Sequence, residues 1–120
     1  EDAYFICETA DHSFMGVADG VGGWQNVGVD PSLFAWALMN NAQEAASSGK
    51  ASHPLDVLAL AYERVVKDKT VLAGSSTACI VSVEKRTGRL ICANLGDSGF
   101  RLFRCVILCM GAVGGKPIDL

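Results

Sequence analysis

Two short apolar runs near the start of the chain, AYFICE (Ala3 to Glu8) and SFMGVAD (Ser13 to Asp19), are rich in aromatic and β-branched residues and bounded by polar ones. That pattern predicts two strands, with TADH between them as a hairpin-sized link. A glycine-rich stretch follows, with Gly20, Gly22, Gly23 and Gly28, and reads as a loop. Asp30 then stands where a helix N-cap belongs and Pro31 at the first helical position, ahead of SLFAWALMNNAQEAASS, with Gly49 as the stop. Leu33, Phe34, Ala37, Leu38 and Ala42 are the expected buried stripe of this helix. A second helix is expected to open near Ser52 or His53, with Pro54 in its first turn. Its apolar positions are Leu55, Leu58, Ala59, Tyr62, Val65 and Val66.

Two amphipathic helices in succession need a flat apolar surface to cover, and the next segment supplies it. SSTACIVSVE (Ser75 to Glu84) and RLICANL (Arg89 to Leu95) read as strands, joined by KRTG with Gly88 in a left-handed position. GDSG then turns the chain into FRLFRCVILC, the third strand of a meander. Strands and helices in runs without regular alternation predict an α+β fold. The chain has 120 residues and shows no repeat or linker, so residues 1–120 read as a single, partial domain.

Charge narrows the chemistry. The net charge is -3 and the basic residues form no run, so nucleic acid is not an expected partner. The first thirty residues contain acids but no lysine or arginine, which suits a cation. The cysteines at 7, 79, 92, 105 and 109 are odd in number and form no C-x-x-C, so they read as reduced core thiols. A metal pair of Cys105 and Cys109 lacks nearby partners. The most apolar run, CVILCMGAVGG, is too short and glycine-rich to span a bilayer, and no signal peptide is visible.

Three acidic features occupy one place in the local grammar, at strand ends beside small residues: Glu1-Asp2, Asp19 and Asp97. Magnesium and manganese ions favour carboxylates, carbonyls and retained waters. Asp19 could give a carboxylate and Gly20 a carbonyl to one ion, because glycine permits close backbone approach. Each acid alone is also an ordinary turn residue; as a set they point to a metal. No G-K-[ST] follows the glycines, the loop lacks the alternating acids of a calcium loop, and neither His12 nor His53 sits in a nucleophile setting.

EDAYFIC, GVADGVGGW, GSSTACIV and ANLGDSGF resemble, in order and spacing, the successive motifs of the metal-dependent serine/threonine protein phosphatases, the PPM or type 2C family. DGVGGW and NLGDSGF look like its mitochondrial and plastid branch, which implies an intracellular, organellar location. The resemblance covers residues 1–104 and leaves 105–120 as an atypical tail. It implies a four-layer α-β-β-α sandwich of antiparallel sheets flanked by helices, incomplete in this chain. It also implies hydrolysis of phosphoserine or phosphothreonine in a phosphoprotein by a metal-activated water. Carried over by motif, Asp19 would bridge two Mn²⁺ or Mg²⁺ ions and the Gly20 carbonyl would bind one of them. Glu1 and Asp2 would support the site largely through water, and Asp97 would serve an additional, weaker metal. Ser76, Thr77 and Ala78 match a structural motif with no required substrate contact.

The pattern breaks in two places. Val21 stands where many relatives carry a histidine thought to protonate the leaving group, so no catalytic acid is assignable. The chain also lacks the family's second D-G motif, and GGKPIDL resembles its terminal motif with Asp119 as the one remaining acid. A site short of carboxylates holds its ions less tightly. The expectation is a weak phosphatase, or a truncated, inactive metal-binding or interaction module.

Overall fold

The computed structural model describes residues 1–69, 71–108 and 117–119, except for the side chains of 106–108 and 117–119. Strands β1 (Asp2–Glu8) and β2 (His12–Asp19) form the first hairpin, closed by the Thr9 N–H donating to the His12 carbonyl at 2.9 Å. Helices α1 (Pro31–Ser47) and α2 (Pro54–Asp68) come next. Strands β3 (Ala78–Glu84) and β4 (Leu90–Leu95) form a second hairpin. The four strands make one antiparallel sheet in the order β1-β2-β3-β4. Gly88 closes the second hairpin at φ 72°, donating its N–H to the Glu84 carbonyl, as the KRTG link predicts.

Both helix starts follow the sequence. The Asp30 carboxylate accepts from the Ser32 N–H at 2.9 Å and from its hydroxyl at 2.7 Å, and Pro31 opens α1 where its missing N–H costs nothing. His53 Nδ1 accepts from the Leu55 N–H at 3.1 Å in the same way, ahead of Pro54. The two helices cover one face of the sheet. Phe5, Phe14 and Ile80 rise from the strands into Ala35, Leu38, Met39, Ala42, Ala45 and Ala46 of α1 and Val57, Ala61 and Val65 of α2. The alanines let α1 lie close to the sheet. Gly16 makes room for the ring of Phe5 opposite it: a Cβ there would meet the ring at 2.3 Å.

The opposite face of the sheet is also apolar. Tyr4, Ile6, Met15 and Val17 lie exposed on it, Ile6 at 67%. One sheet with one helical layer is half of a four-layer sandwich, in keeping with the incomplete fold that the motifs imply. Among the described residues no helix is long and apolar enough to cross a membrane.

Several local expectations are corrected. FRLFRCVILC does not add a third strand to the meander. Residues 99–105 are irregular, and β5 (Val106–Leu108) pairs instead with β6 (Pro117–Asp119) in a separate two-stranded sheet. The chain leaving β4 is bonded instead to the segment just before β3, through the hydroxyls of Ser98 and Thr77. The glycine loop is not featureless: Gly22–Val27 wind into a 3-10 helix ending at Gly28, φ 77°. In α1, Leu33 is exposed and Met39, Ala45 and Ala46 are buried in its place. In α2 the stripe facing the sheet is Val57, Ala61 and Val65, while Leu55, Tyr62 and Val66 are exposed. They line an open groove of about 1120 Å³ beside β4. Of the cysteines, Cys7 and Cys79 are buried as expected, but Cys92 and Cys105 are exposed; Cys109 lies outside the described residues.

Candidate metal centre

Antiparallel register brings the first two acids together. Asp2 opens β1 and Asp19 ends β2, and the two residues pair directly across the hairpin. Both are exposed at one end of the sheet. The neighbouring backbone continues the pairing, with the Gly20 N–H donating to the Glu1 carbonyl at 3.0 Å. The Glu1 carboxylate lies over the following loop, where a Cβ on Gly22 would come within 3.0 Å of its Oε1. Asp97 arrives from the turn after β4, close enough to act on Asp19 electrostatically.

The electrostatics show what this convergence costs. The Asp19 carboxyl is pushed above the usual carboxylate range, first by a hydrogen bond shared with Asp2, then by desolvation and by repulsion from Asp2, Glu1 and Asp97. Neither ion pair among the described residues, Arg64–Glu44 or Lys85–Glu8, involves these acids. The cluster therefore offers hard oxygen donors and concentrated negative charge, the chemistry that suits a divalent cation. It is loose: among the described residues, no three acid, histidine or cysteine side chains stand close enough together to grip an ion. Repulsion reaches across the cluster, whereas coordination would require the carboxylates to close in.

The loop after Asp19 is held by the segment before β3. The Val21 N–H donates to the Ser75 carbonyl at 3.0 Å, Trp24 Nε1 donates to Ser75 Oγ at 2.9 Å, and Gly20 bridges to Ser76. Gly20 is required there by space, because a Cβ would stand 2.2 Å from the Pro31 carbonyl oxygen. Asp2 and Asp19 open onto a cleft of about 560 Å³ whose walls include Tyr4, Val17, Trp36 and Ser98. The rings of Tyr4 and Trp36 lie 5.8 Å apart.

With this geometry in view, the relatives can be placed. No family model matches the chain. It is 44% identical over 106 residues to the protein phosphatase PTC7 homolog of Danio rerio, covering 87% of this chain and 36% of that protein. The Homo sapiens PTC7 homolog is 43% identical over the same length, with 87% and 35% covered. Among solved structures, the photosystem II phosphatase PBCP is 34% identical with a TM-score of 0.68, over 81% of this chain and 36% of that one.

Over this stretch the chain is similar in sequence and fold to protein phosphatases of the PPM family.

It spans about a third of the length of the PPM relatives it matches. A Stage II Sporulation E family protein from Thermanaerovibrio acidaminovorans shares the fold alone, at 20% identity and a TM-score of 0.63. Within the PPM pattern the structure brings together Glu1, Asp2, Asp19, Gly20 and Asp97. Asp119 does not join them: its backbone lies in β6, apart from the main sheet, and its side chain lies outside the described residues. The motifs did not point to the cleft walls Tyr4 and Trp36. Tyr4 and Val17 had a readable signal, since each stands two residues from an acid on its own strand and so shares that acid's face. Trp36 had none, because it comes from α1.

Proposed function

We propose that this chain carries the Asp19-bearing part of a metal-dependent protein serine/threonine phosphatase, with residues 1–104 as the motif-bearing part of one domain. The observation that carries the reading is the convergence of Glu1, Asp2, Asp19 and Asp97, with the Asp19 carboxyl forced up by its neighbours. Asp19 and the Gly20 carbonyl would hold Mn²⁺ or Mg²⁺, with Glu1 and Asp2 flanking and Asp97 serving a weaker ion. Such ions, when bound, supply positive charge for a phosphoryl group and acidify a water at neutral pH. The chain's own residues do the rest. Asp19 and Asp2, paired across the hairpin, stand where both can act as ligands. Gly20 keeps the backbone close, and the loop pinned by Ser75 keeps side chains away from the acids. The Tyr4–Trp36 wall offers apolar contact to the peptide around a phosphoserine or phosphothreonine. Val21 supplies no proton, so this position offers the leaving oxygen no acid.

The test is manganese-dependent hydrolysis of a phosphothreonine peptide by the purified chain, with Asp19→Asn as the control. Activity lost in the variant supports the reading; activity equal in both, or absent from both, refutes it for this chain. One observation favours a second reading, a truncated phosphatase-like module without hydrolytic activity: among the described residues no three acid, histidine or cysteine side chains stand close enough together to grip an ion. Manganese uptake without hydrolysis would support that module. An organellar setting is proposed on the DGVGGW and NLGDSGF motifs, and an exclusively cytosolic signal on cell fractionation would oppose it.

A further inference from the structure

Thr77 stands just before β3 and touches both sides of the acidic cluster. Its N–H donates to the Asp19 carbonyl at 2.9 Å, and its Oγ1 accepts from the Asp19 N–H at 3.0 Å. One residue thus holds both backbone polar groups of Asp19. The same Oγ1 lies 2.6 Å from the Ser98 hydroxyl, next to Asp97. A hydroxyl has one proton and two lone pairs, so Thr77 can accept from Asp19 and still exchange a bond with Ser98. The turn closes on it directly: at Gly96, φ 92°, a Cβ would meet Thr77 Cγ2 at 2.8 Å.

This arrangement adds a side-chain tie between two pieces of chain that strand pairing brings near each other, the end of β2 and the turn after β4. Asp2 and Asp19 are fixed to each other by strand register. Asp97 sits two residues beyond Leu95, the last residue of β4 paired with β3, on a turn whose charge repels Asp19. Thr77 holds that turn through Ser98.

We infer that Thr77 is a positioning residue: its hydroxyl, shared between the Asp19 N–H and the Ser98 hydroxyl, sets Asp97 against Asp19 and so sets how readily the cluster takes a divalent cation. This rests on the metal-site reading above. A valine in place of Thr77 keeps the shape and removes the hydroxyl; a serine keeps the hydroxyl.

The test is Mn²⁺ titration by calorimetry of the whole chain and of Thr77→Val, Thr77→Ser and Ser98→Ala, with Thr77→Val repeated in an Asp97→Asn background. Residues that orient ligands are typically worth 10–100-fold in metal affinity, so Thr77→Val should bind about tenfold more weakly. Thr77→Ser should stay within about threefold of the parent, and Ser98→Ala should reproduce most of the valine loss. With Asp97 already replaced, the valine change should cost clearly less than in the parent, because the Asp97 carboxylate is no longer there to position and the bond to the Asp19 N–H alone remains to be lost. A merely structural role would give the same loss in both backgrounds, and that result overturns the inference. So does wild-type affinity in Thr77→Val, or equal damage from serine and valine. Should the valine variant fail to fold, Ser98→Ala decides between the two roles, and wild-type affinity in that variant would also overturn the inference. If the parent chain takes up no Mn²⁺, the metal-site reading fails and this inference fails with it.

Discussion

Gly20→Ala should damage this protein far more than any other single methyl group added to its glycine loop. A Cβ at Gly20 would lie 2.2 Å from the Pro31 carbonyl oxygen, 2.8 Å from the Pro31 carbonyl carbon and 3.0 Å from the Glu1 carbonyl oxygen. Comfortable contact is about 3.5–4.0 Å, so the Pro31 carbonyl must retreat by on the order of 1 Å. That carbonyl belongs to the first turn of α1, and moving it drags the helix off β1 and β2. Overpacking costs about 1–3 kcal/mol, and the top of the range applies because every atom met is backbone. For a chain of this size, that loss corresponds to a fall in Tm of about 10 °C. Urea and thermal unfolding followed by circular dichroism would measure it, with Gly23→Ala as the control. A Cβ at Gly23 meets nothing within 4 Å, so that variant should match the parent or gain about 0.4–1 kcal/mol from a stiffer unfolded chain. A Gly20→Ala midpoint within about 0.5 kcal/mol of the parent, the range of neutral surface changes, would refute the reasoning. Equal damage at both sites would refute it too.

The folded state raises the pKa of Asp19, so it binds that proton more tightly than the unfolded chain does, and the resulting strain on folding is greatest above the raised pKa and relieved as pH falls through it. Mn²⁺ binding requires the Asp19 carboxylate, so affinity by calorimetry should weaken as pH falls through the raised pKa, and a flat pH profile would contradict Asp19 as a ligand. Asp30 behaves oppositely: hydrogen bonds from the Ser32 hydroxyl and then its N–H hold its carboxyl below the usual range. Its contribution to stability is present at neutral pH and lost as pH falls through that lowered pKa, so Asp30→Ala should lower the urea midpoint at pH 7 and change little in strong acid. Burial pushes up the Cys7 and Cys79 thiols, while Cys92 and Cys105 are exposed, so an aromatic disulfide reagent should label Cys92 and Cys105 first by mass spectrometry.

Local chemistry made much of the fold legible. Asp30-Pro31 and His53-Pro54 announce helix starts because each pairs an N-terminal acceptor with a residue that has no N–H to satisfy. Strand composition and the two short links place the four strands of the sheet, and a tight hairpin leaves Asp2 little choice but to face Asp19. The helix faces were harder. In α2 the residues Leu55, Leu58, Ala59, Tyr62 and Val66 make a stripe at helical spacing, and so do Val57, Ala61 and Val65. Periodicity reports that a stripe exists and says nothing about which of two stripes meets the sheet. The smaller one won because a valine-alanine ridge lets the helix sit close to β3, leaving the bulkier side chains to the groove beside β4.

The misread third strand and the unread Thr77 have one cause. Composition alone makes residues 100–104 a fair strand, with Phe100, Leu102 and Phe103 among the arginines. Whether they pair with β4 depends on where the preceding turn delivers them, and that turn is bonded through Ser98 to Thr77, 21 positions away. A hydroxyl in a run of small polar residues carries no local mark of a distant partner. The acids were legible because they recur as a set at strand ends, inside motifs that resemble those of a known family. The hydroxyl that aligns them was not, because its role exists only once β2, β3 and the turn after β4 have met. Thr77→Val therefore probes the part of this site that motif reading cannot reach: whether the carboxylates are merely gathered at one end of a sheet or held in register across it.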